Sequence, residues 1–156
     1  MANIFKLLFS IATCLMCGFV GSLFTKSSIK TWYAHLRKPF FNPPPWIFGP
    51  VWSILYVLMG IAAFIVWQGG LERDGVRTAL FVFLVQLLLN AIWSPIFFGM
   101  KSPIAGFIVI VFLWLAICIT IILFYHVSQI ASFLLIPYLL WVSFALVLNF
   151  AIARMN

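Results

Sequence analysis

Glu72 and Asp74 are the only two carboxylates in 156 residues, and they lie two positions apart in one short polar stretch. Glycosidase-type acid pairs, aspartic dyads, carboxylate metal cages and intramembrane carboxylate relays are therefore closed to a single chain. The three cysteines, Cys14, Cys17 and Cys118, all fall inside apolar runs and support no disulfide framework. Cys14 and Cys17 form a C-x-x-C, but apolar surroundings keep such thiols inert. No Walker loop, dinucleotide-binding glycine pattern, zinc spacing or Ser-His-acid set is present, so conventional hydrolytic or nucleotide-driven catalysis and a bound metal are not expected. What remains is aromatic and amide chemistry. Trp52 and Tyr56 are four apart; Gln86, Asn90 and Trp93 follow a four-then-three step; Tyr138, Trp141, Ala145 and Asn149 repeat the pattern, with Ala145 leaving room between larger groups. On helices, each set shares a face. Together they offer π surfaces and neutral donors, suited to holding a flat apolar ligand.

The elements that must position these faces follow from composition. Apolar residues make up 66% of the chain and charged ones 7%, far too few to clothe a globule in water. A bilayer is the solvent that this composition fits. The net charge of +7 then reflects cations that flank spans and meet anionic headgroups, and nucleic acid is not an expected partner. Windows of about twenty apolar residues predict five spans in one domain, residues 1–156: 4–24, 47–67, 78–98, 103–125 and 130–153. Barrel strands would be about half as long and would alternate, so the fold class expected is all-α, a polytopic five-helix bundle. Lys6 ahead of the first run resembles a signal-peptide start. Cys14, Gly18 and Ser22 at every fourth position suit close helix packing instead, and favour a retained helix.

Alternation of the spans puts Lys26, Lys30, Arg37, Lys38, Lys101 and Arg154 on one side and Lys6, Arg73 and Arg77 on the other. The positive-inside rule then predicts a cytoplasmic C-terminus and first loop in a bacterial cytoplasmic membrane, with the N-terminus outside. His35 and His126 fall on opposite sides, so the two cannot bracket one haem iron, and His35 is expected to hydrogen-bond within the first loop. That loop, residues 25–45, carries Trp32, Tyr33, His35, Phe40, Phe41 and the run Pro43, Pro44, Pro45. Loops so long are usually functional or disordered, and aromatic content favours packing. It is expected to fold as a lid over the cytoplasmic end. Three connections are short, which predicts antiparallel neighbours in chain order. Trp32, Trp46 and Trp67 sit at span ends, where an interfacial belt is the ordinary reading. Pro50, Trp52, Asn90, Trp93, Pro95 and Asn149 all fall in the lid-side half of the membrane. Pro50 is expected in a first helical turn, whereas Pro95 frees a carbonyl. Buried amides must be paired or face a cavity. Convergence of polar and aromatic groups at one depth predicts a pocket, with a structural amide network as the competing use. Lys26, Lys30, Arg37 and Lys38 could receive acidic groups of its ligand.

These residues resemble the tryptophan-rich sensory protein family, also called the translocator protein or peripheral benzodiazepine receptor family. Trp32, Tyr33, Leu36, Lys38 and Pro39, then Pro43, Pro44, Trp46, Pro50, Val51, Trp52, Leu55, Tyr56, Met59 and Gly60 stand in the family's order and spacing. So do Asn90, Trp93, Pro95, Phe97, Phe98 and Gly99, followed by Pro137, Tyr138, Trp141, Phe144, Ala145, Leu148 and Asn149. The resemblance implies a five-helix bundle, often dimeric, whose lid-covered cavity binds porphyrins, benzodiazepine-type isoquinolines and, in animal members, cholesterol. For bacterial relatives it also implies light- and oxygen-dependent breakdown of protoporphyrin IX. Positions matching the family cavity are Trp52, Asn90, Trp141 and Ala145, with Trp32, Trp46, Tyr56 and Trp93 close by. Ala91 and Ser94 stand where many relatives have Trp and Pro, so the third-helix wall should be roomier and less kinked. Leu148, Phe150 and Arg154 leave Phe at the centre of the sterol consensus, which argues against sterol binding.

The resulting expectation is a membrane receptor for porphyrin or a similar planar ligand, bound by Trp32, Trp46, Pro50, Trp52, Tyr56, Asn90, Trp93, Tyr138, Trp141, Ala145 and Asn149. No cofactor is required, porphyrin being ligand or substrate. Membrane lipid and a second copy of the chain are the other partners considered, although the third span has no G-x-x-x-G to mark a dimer face. If light-driven degradation occurs, Trp52 and Trp141 are the photochemical pair. The alternative is a passive transporter or sensor of hydrophobic ligands that performs no chemistry.

Overall fold

In hydrocarbon no water satisfies the backbone, so long apolar runs must coil and close their hydrogen bonds internally. The computed structural model describes residues 1–156 and does so with seven α-helices and no strand. α1 is Ala2–Ser28, α2 Trp32–His35, α3 Pro45–Gln68, α4 Val76–Ser94, α5 Pro103–Val127, α6 Gln129–Leu134 and α7 Ile136–Met155. Five stretches are long and apolar enough to cross a membrane: α1, α3, α4 with the turn that follows it, α5, and α6 with α7. The predicted five-helix, all-α architecture is the one observed.

Local chemistry sets the ends and breaks. Ser102 caps α5 by accepting from the Ala105 N–H at 3.2 Å, with Pro103 at the first helical position. After Ser94 the chain widens into a π turn over Pro95–Gly99, closed by the Met100 N–H on the Pro95 carbonyl at 2.9 Å. Proline lacks the N–H that an α-turn requires, and the wider turn absorbs the fault. The third span is thus interrupted at Pro95, directly after Ser94. The fifth span, expected to be continuous, breaks at Leu135 just before Pro137. α3 begins at Pro45, which places Pro50 inside the helix and not in its first turn as expected. The Trp46 carbonyl loses its intrahelical partner there, on a face where both residues are exposed.

The helices form a ring whose order departs from chain order. α1 packs against α3 and α4, α4 against α5, α5 against α7, and α3 closes the ring through α6 with a narrower contact to α7. α3 and α4, joined by a short loop, touch less than either touches α1. The expectation of chain-order neighbours fails there because helix packing, not loop length, selects the seam. Two glycines on that seam explain the choice. A Cβ on Gly60 would lie 2.5 Å from the Ile11 backbone, and one on Gly18 would strike the Tyr56 ring, so α1 and α3 approach at contacts only glycine permits. The outer face of α1, including Phe5, Leu8, Phe9, Met16 and Phe19, is exposed as a lipid-facing surface.

The lid covers the end where α1, α4 and α7 finish and α3 and α5 begin. Tyr33, Phe97, Phe98, Leu148 and Ile152 form its own buried cluster, seating α2 on the π turn and on α7.

Candidate functional site

α3 brings Trp52 and Tyr56 inward one turn apart, their rings stacked at 5.6 Å. α4 supplies Asn90, Trp93 and Ser94, α7 supplies Ala145, and α1 adds Gly18, Gly21, Ser22 and Thr25. These groups surround a cavity of about 480 Å³, within the range of small-molecule sites. A smaller lobe of about 90 Å³ under the lid is lined by Tyr33, Trp52, Trp93, Phe97, Trp141 and Asn149, among others. The lobes share Thr25, Ile29, Phe48, Trp52, Trp93 and Ala145, which makes them adjoining parts of one hollow. Its side wall, Leu15, Phe19 and Lys26 of α1 facing Pro45, Gly49 and Ser53 of α3, lies along the bilayer-facing seam between those helices.

The predicted site residues divide under this geometry. Trp52, Tyr56, Asn90, Trp93, Trp141, Ala145 and Asn149 line the hollow. Tyr138 does not; it is 1% exposed and supports the wall from behind, its ring edge-on to Trp52 at 6.3 Å. Trp32 also misses the lining and packs edge-on against Phe97 at 5.6 Å, holding the lid. Trp46 is 73% exposed, and Pro50 is exposed as well, so neither reaches the cavity. Their spacing placed them at the right depth, but on the outward face of α3. Ala91 lines neither lobe, whereas Ser94 lines the main one, and its hydroxyl donates to the Gly21 carbonyl at 2.8 Å and meets the Thr25 hydroxyl at 2.9 Å, drawing α1 onto α4.

Sequence reasoning missed the wall contributed by α1. The small residues Cys14, Gly18 and Ser22 signalled close packing, yet Gly21 and Thr25, on the same helix, were available as a hint that α1 borders a polar hollow. Phe48 was also missed; it approaches Trp141 edge-on at 6.0 Å.

Deep polar groups are satisfied in two networks. The Tyr56 hydroxyl donates to Asn90 Oδ1 at 2.6 Å, Asn90 Nδ2 to the Tyr138 oxygen at 2.8 Å, and the Tyr138 hydroxyl to Gln86 Oε1 at 2.8 Å. Trp93 Nε1 donates to Asn149 Oδ1 at 3.1 Å, and Asn149 Nδ2 to the Pro103 carbonyl at 2.8 Å. The structural amide network and the cavity, weighed as alternatives, therefore coexist. One group stands apart: Trp141 Nε1 is buried with no hydrogen-bond partner.

Charge is nearly absent from the hollow. Of the four cations expected to meet acidic groups, only Lys26 lines it. Lys38 Nζ instead donates to the Tyr33, Leu36 and Ala34 carbonyls at 2.7, 3.0 and 3.3 Å and lies 4.9 Å from the Tyr33 ring centre, capping α2. The Arg37 backbone is clamped at both N–H and C=O by the Asn156 amide, each at 2.9 Å. Lys30 lines neither lobe. His35 Nδ1 bonds the Thr31 carbonyl at 2.6 Å and is exposed, consistent with a role inside the lid. Burial pushes the Tyr33 hydroxyl up to about 12, against the partial offset of its bond to Asn42. The Glu72–Arg77 ion pair, 3.0 Å and exposed, ties the α3–α4 connection to the first turn of α4, at the end away from the lid. No His, Cys, Asp or Glu cluster could hold a metal ion.

Five spanning helices closed around a nearly uncharged, indole-lined hollow with a folded lid define a polytopic membrane protein with room for an apolar guest. The sequence profile of the TspO/MBR family matches residues 10–155, and the chain belongs to that family. It is 49% identical over 154 residues to the tryptophan-rich protein TspO of Archaeoglobus fulgidus, covering 99% of both chains. It is 47% identical over 154 residues to the tryptophan-rich protein TspO of Chlorobaculum tepidum, covering 99% of this chain and 98% of that one. The human translocator protein is 39% identical over 150 residues, covering 95% of this chain and 88% of its own.

Proposed function

We propose that the hollow binds a porphyrin such as protoporphyrin IX, or a similar planar ligand including benzodiazepine-type isoquinolines. The observation that carries this reading is Trp141, which lines the hollow and whose indole N–H is shut away from solvent without a partner. Trp93 and Trp114, by contrast, donate to Asn149 and Ser143. A buried donor without an acceptor costs free energy that a ligand acceptor recovers. Stacking surfaces on Trp52 and Trp93 suit a flat ring system, and Lys26 at the rim suits an acidic substituent. Protoporphyrin IX titrated into detergent-solubilised protein should quench tryptophan fluorescence saturably. Ala145→Phe, which puts a ring where the two lobes adjoin, should lower the affinity at least tenfold, and Trp141→Phe by roughly fivefold. Quenching that is linear, or identical in wild type and Ala145→Phe, would refute the reading.

Under light and oxygen this reading extends to degradation of the bound porphyrin, with Trp52 and Trp141 exchanging electrons with the excited ring and the protein supplying position and exclusion of water. Illumination in air should generate a new long-wavelength product band, lost when both indoles are replaced by Phe. The alternative, passive carriage or sensing, is supported by the bilayer-facing seam between α1 and α3 and predicts a bound spectrum unaltered by light. The lid is assigned to the cytoplasmic face on the distribution of Lys and Arg.

A further inference from the structure

Gln86 lies outside both lobes of the hollow and is only 1% exposed, yet it terminates the hydrogen-bond chain that begins in the cavity wall at Tyr56. We propose that Gln86, held by Met59, is a specificity-determining residue: it fixes the sense of the Tyr56–Asn90–Tyr138 relay so that the wall offers a hydrogen-bond acceptor to planar ligands carrying an N–H or O–H donor. This deepens the ligand-binding reading above and rests on it.

A tyrosine hydroxyl has one proton to donate, whereas an amide donates only from nitrogen and accepts only at oxygen. With Gln86 Oε1 turned toward Tyr138, the Tyr138 proton goes to Gln86 at 2.8 Å, so the Tyr138 oxygen must accept from Asn90 Nδ2. Asn90 Oδ1 is then left for the Tyr56 proton at 2.6 Å. Tyr56 and Asn90 both line the main lobe, and in this sense the spare capacity of the Tyr56 oxygen is a lone pair. Reversing the Gln86 amide reverses every link and releases the Tyr56 proton toward the cavity. What decides the sense is at the sealed end. Gln86 Nε2 has the Met59 sulfur as its one partner, in a long contact at 4.0 Å, and a thioether accepts but cannot donate. Relays of this kind are cooperative, because each link polarises the next.

Removing the Gln86 amide forces the opposite sense. In Gln86→Met the original direction would leave the Tyr138 proton buried without an acceptor, while the reversed direction gives that proton the Asn90 oxygen and leaves the unpaired hydroxyl proton on Tyr56, which lines the hollow. Met59→Leu acts in the same direction, since an unpaired buried N–H costs more than an under-used carbonyl.

Carbazole, whose ring nitrogen donates, and acridine, whose ring nitrogen accepts, share a three-ring outline and serve as matched probes. Their affinities are read by tryptophan quenching in wild type, Gln86→Met, Met59→Leu and each variant combined with Tyr56→Phe. The carbazole-to-acridine affinity ratio should fall roughly fivefold in Gln86→Met and in the same direction in Met59→Leu, and neither should change it once Tyr56 is Phe. If Gln86→Met does not fold, Met59→Leu decides. A ratio unmoved by the substitutions while both probes bind overturns the relay and leaves the cavity reading intact. Failure of carbazole, acridine and protoporphyrin IX alike to bind wild type overturns both. The infrared C–O stretch of Tyr56, isolated by subtracting the Tyr56→Phe spectrum, reads the relay without ligand: it should change from a donating to an accepting hydroxyl in Gln86→Met, and an unchanged band overturns the proposal.

Discussion

Asn149 ties α4 to α5 by accepting from the Trp93 N–H and donating to the Pro103 carbonyl in the first turn of α5. Asn149→Leu keeps the branched outline, removes both bonds and leaves the Trp93 N–H unpaired. The usual cost of such losses is a few kcal/mol, but intramembrane hydrogen bonds average less than soluble ones, so about 1–2 kcal/mol is expected. A thermal unfolding midpoint in detergent that does not fall would contradict this. At this scale the sequence was informative about need and silent about partner. Two asparagines at membrane depth had to be paired, whichever residues paired them. That Asn90 would face two tyrosines, and Asn149 an indole and a proline carbonyl, depended on side-chain positions that spacing along one helix does not encode.

The lid is the element whose stability should respond to pH. Tyr33 is buried in it and its hydroxyl is held at about 12, above the ordinary value of 10.0, because burial disfavours the phenolate. A raised pKa in the docked state means that docking is at full strength below pH 10 and weakens as pH rises through about 12. Ionisation also removes the proton that Tyr33 donates to Asn42 Oδ1 at 2.9 Å. A spin label at Phe40→Cys in a cysteine-free background should gain mobility between those limits, and Tyr33→Phe should remove that component of the change. Equal responses in the two proteins would mean that Tyr33 does not tie lid docking to pH. The lid as a folded element was legible from its aromatic content. The break at Leu135 was less so, because a single Pro137 inside an unbroken apolar run does not say whether neighbours will restore the lost hydrogen bond or let the helix part.

Across the whole molecule, the seam between α1 and α3 is where shape is most constrained. Gly60 has no space for a larger side chain, since even a Cβ would lie 2.5 Å from Ile11 Cα. Gly60→Leu should push α1 away, cost about 1–3 kcal/mol as overpacking does, and weaken protoporphyrin IX binding by opening the side wall; a stable variant with unchanged affinity would show the seam to be pliable. Orientation is tested in a cysteine-free chain in intact cells, where a membrane-impermeant maleimide should label Asp74→Cys and spare Lys30→Cys; the reverse pattern would invert the topology. Composition and run length by themselves determined the solvent, the five helices, the lid and the depth at which aromatic and amide groups gather, because hydrocarbon leaves a backbone no alternative to helix. Which way each helix turned was decided only by tertiary structure. In lipid the outward face is as apolar as the inward one, so the pattern that separates core from surface in water is faint here. Trp46 and Pro50 went outward and Trp52 inward on one helix, and close contact through Gly18 and Gly60, with Ser94 bridging to α1, set the ring order that left a hollow at its centre.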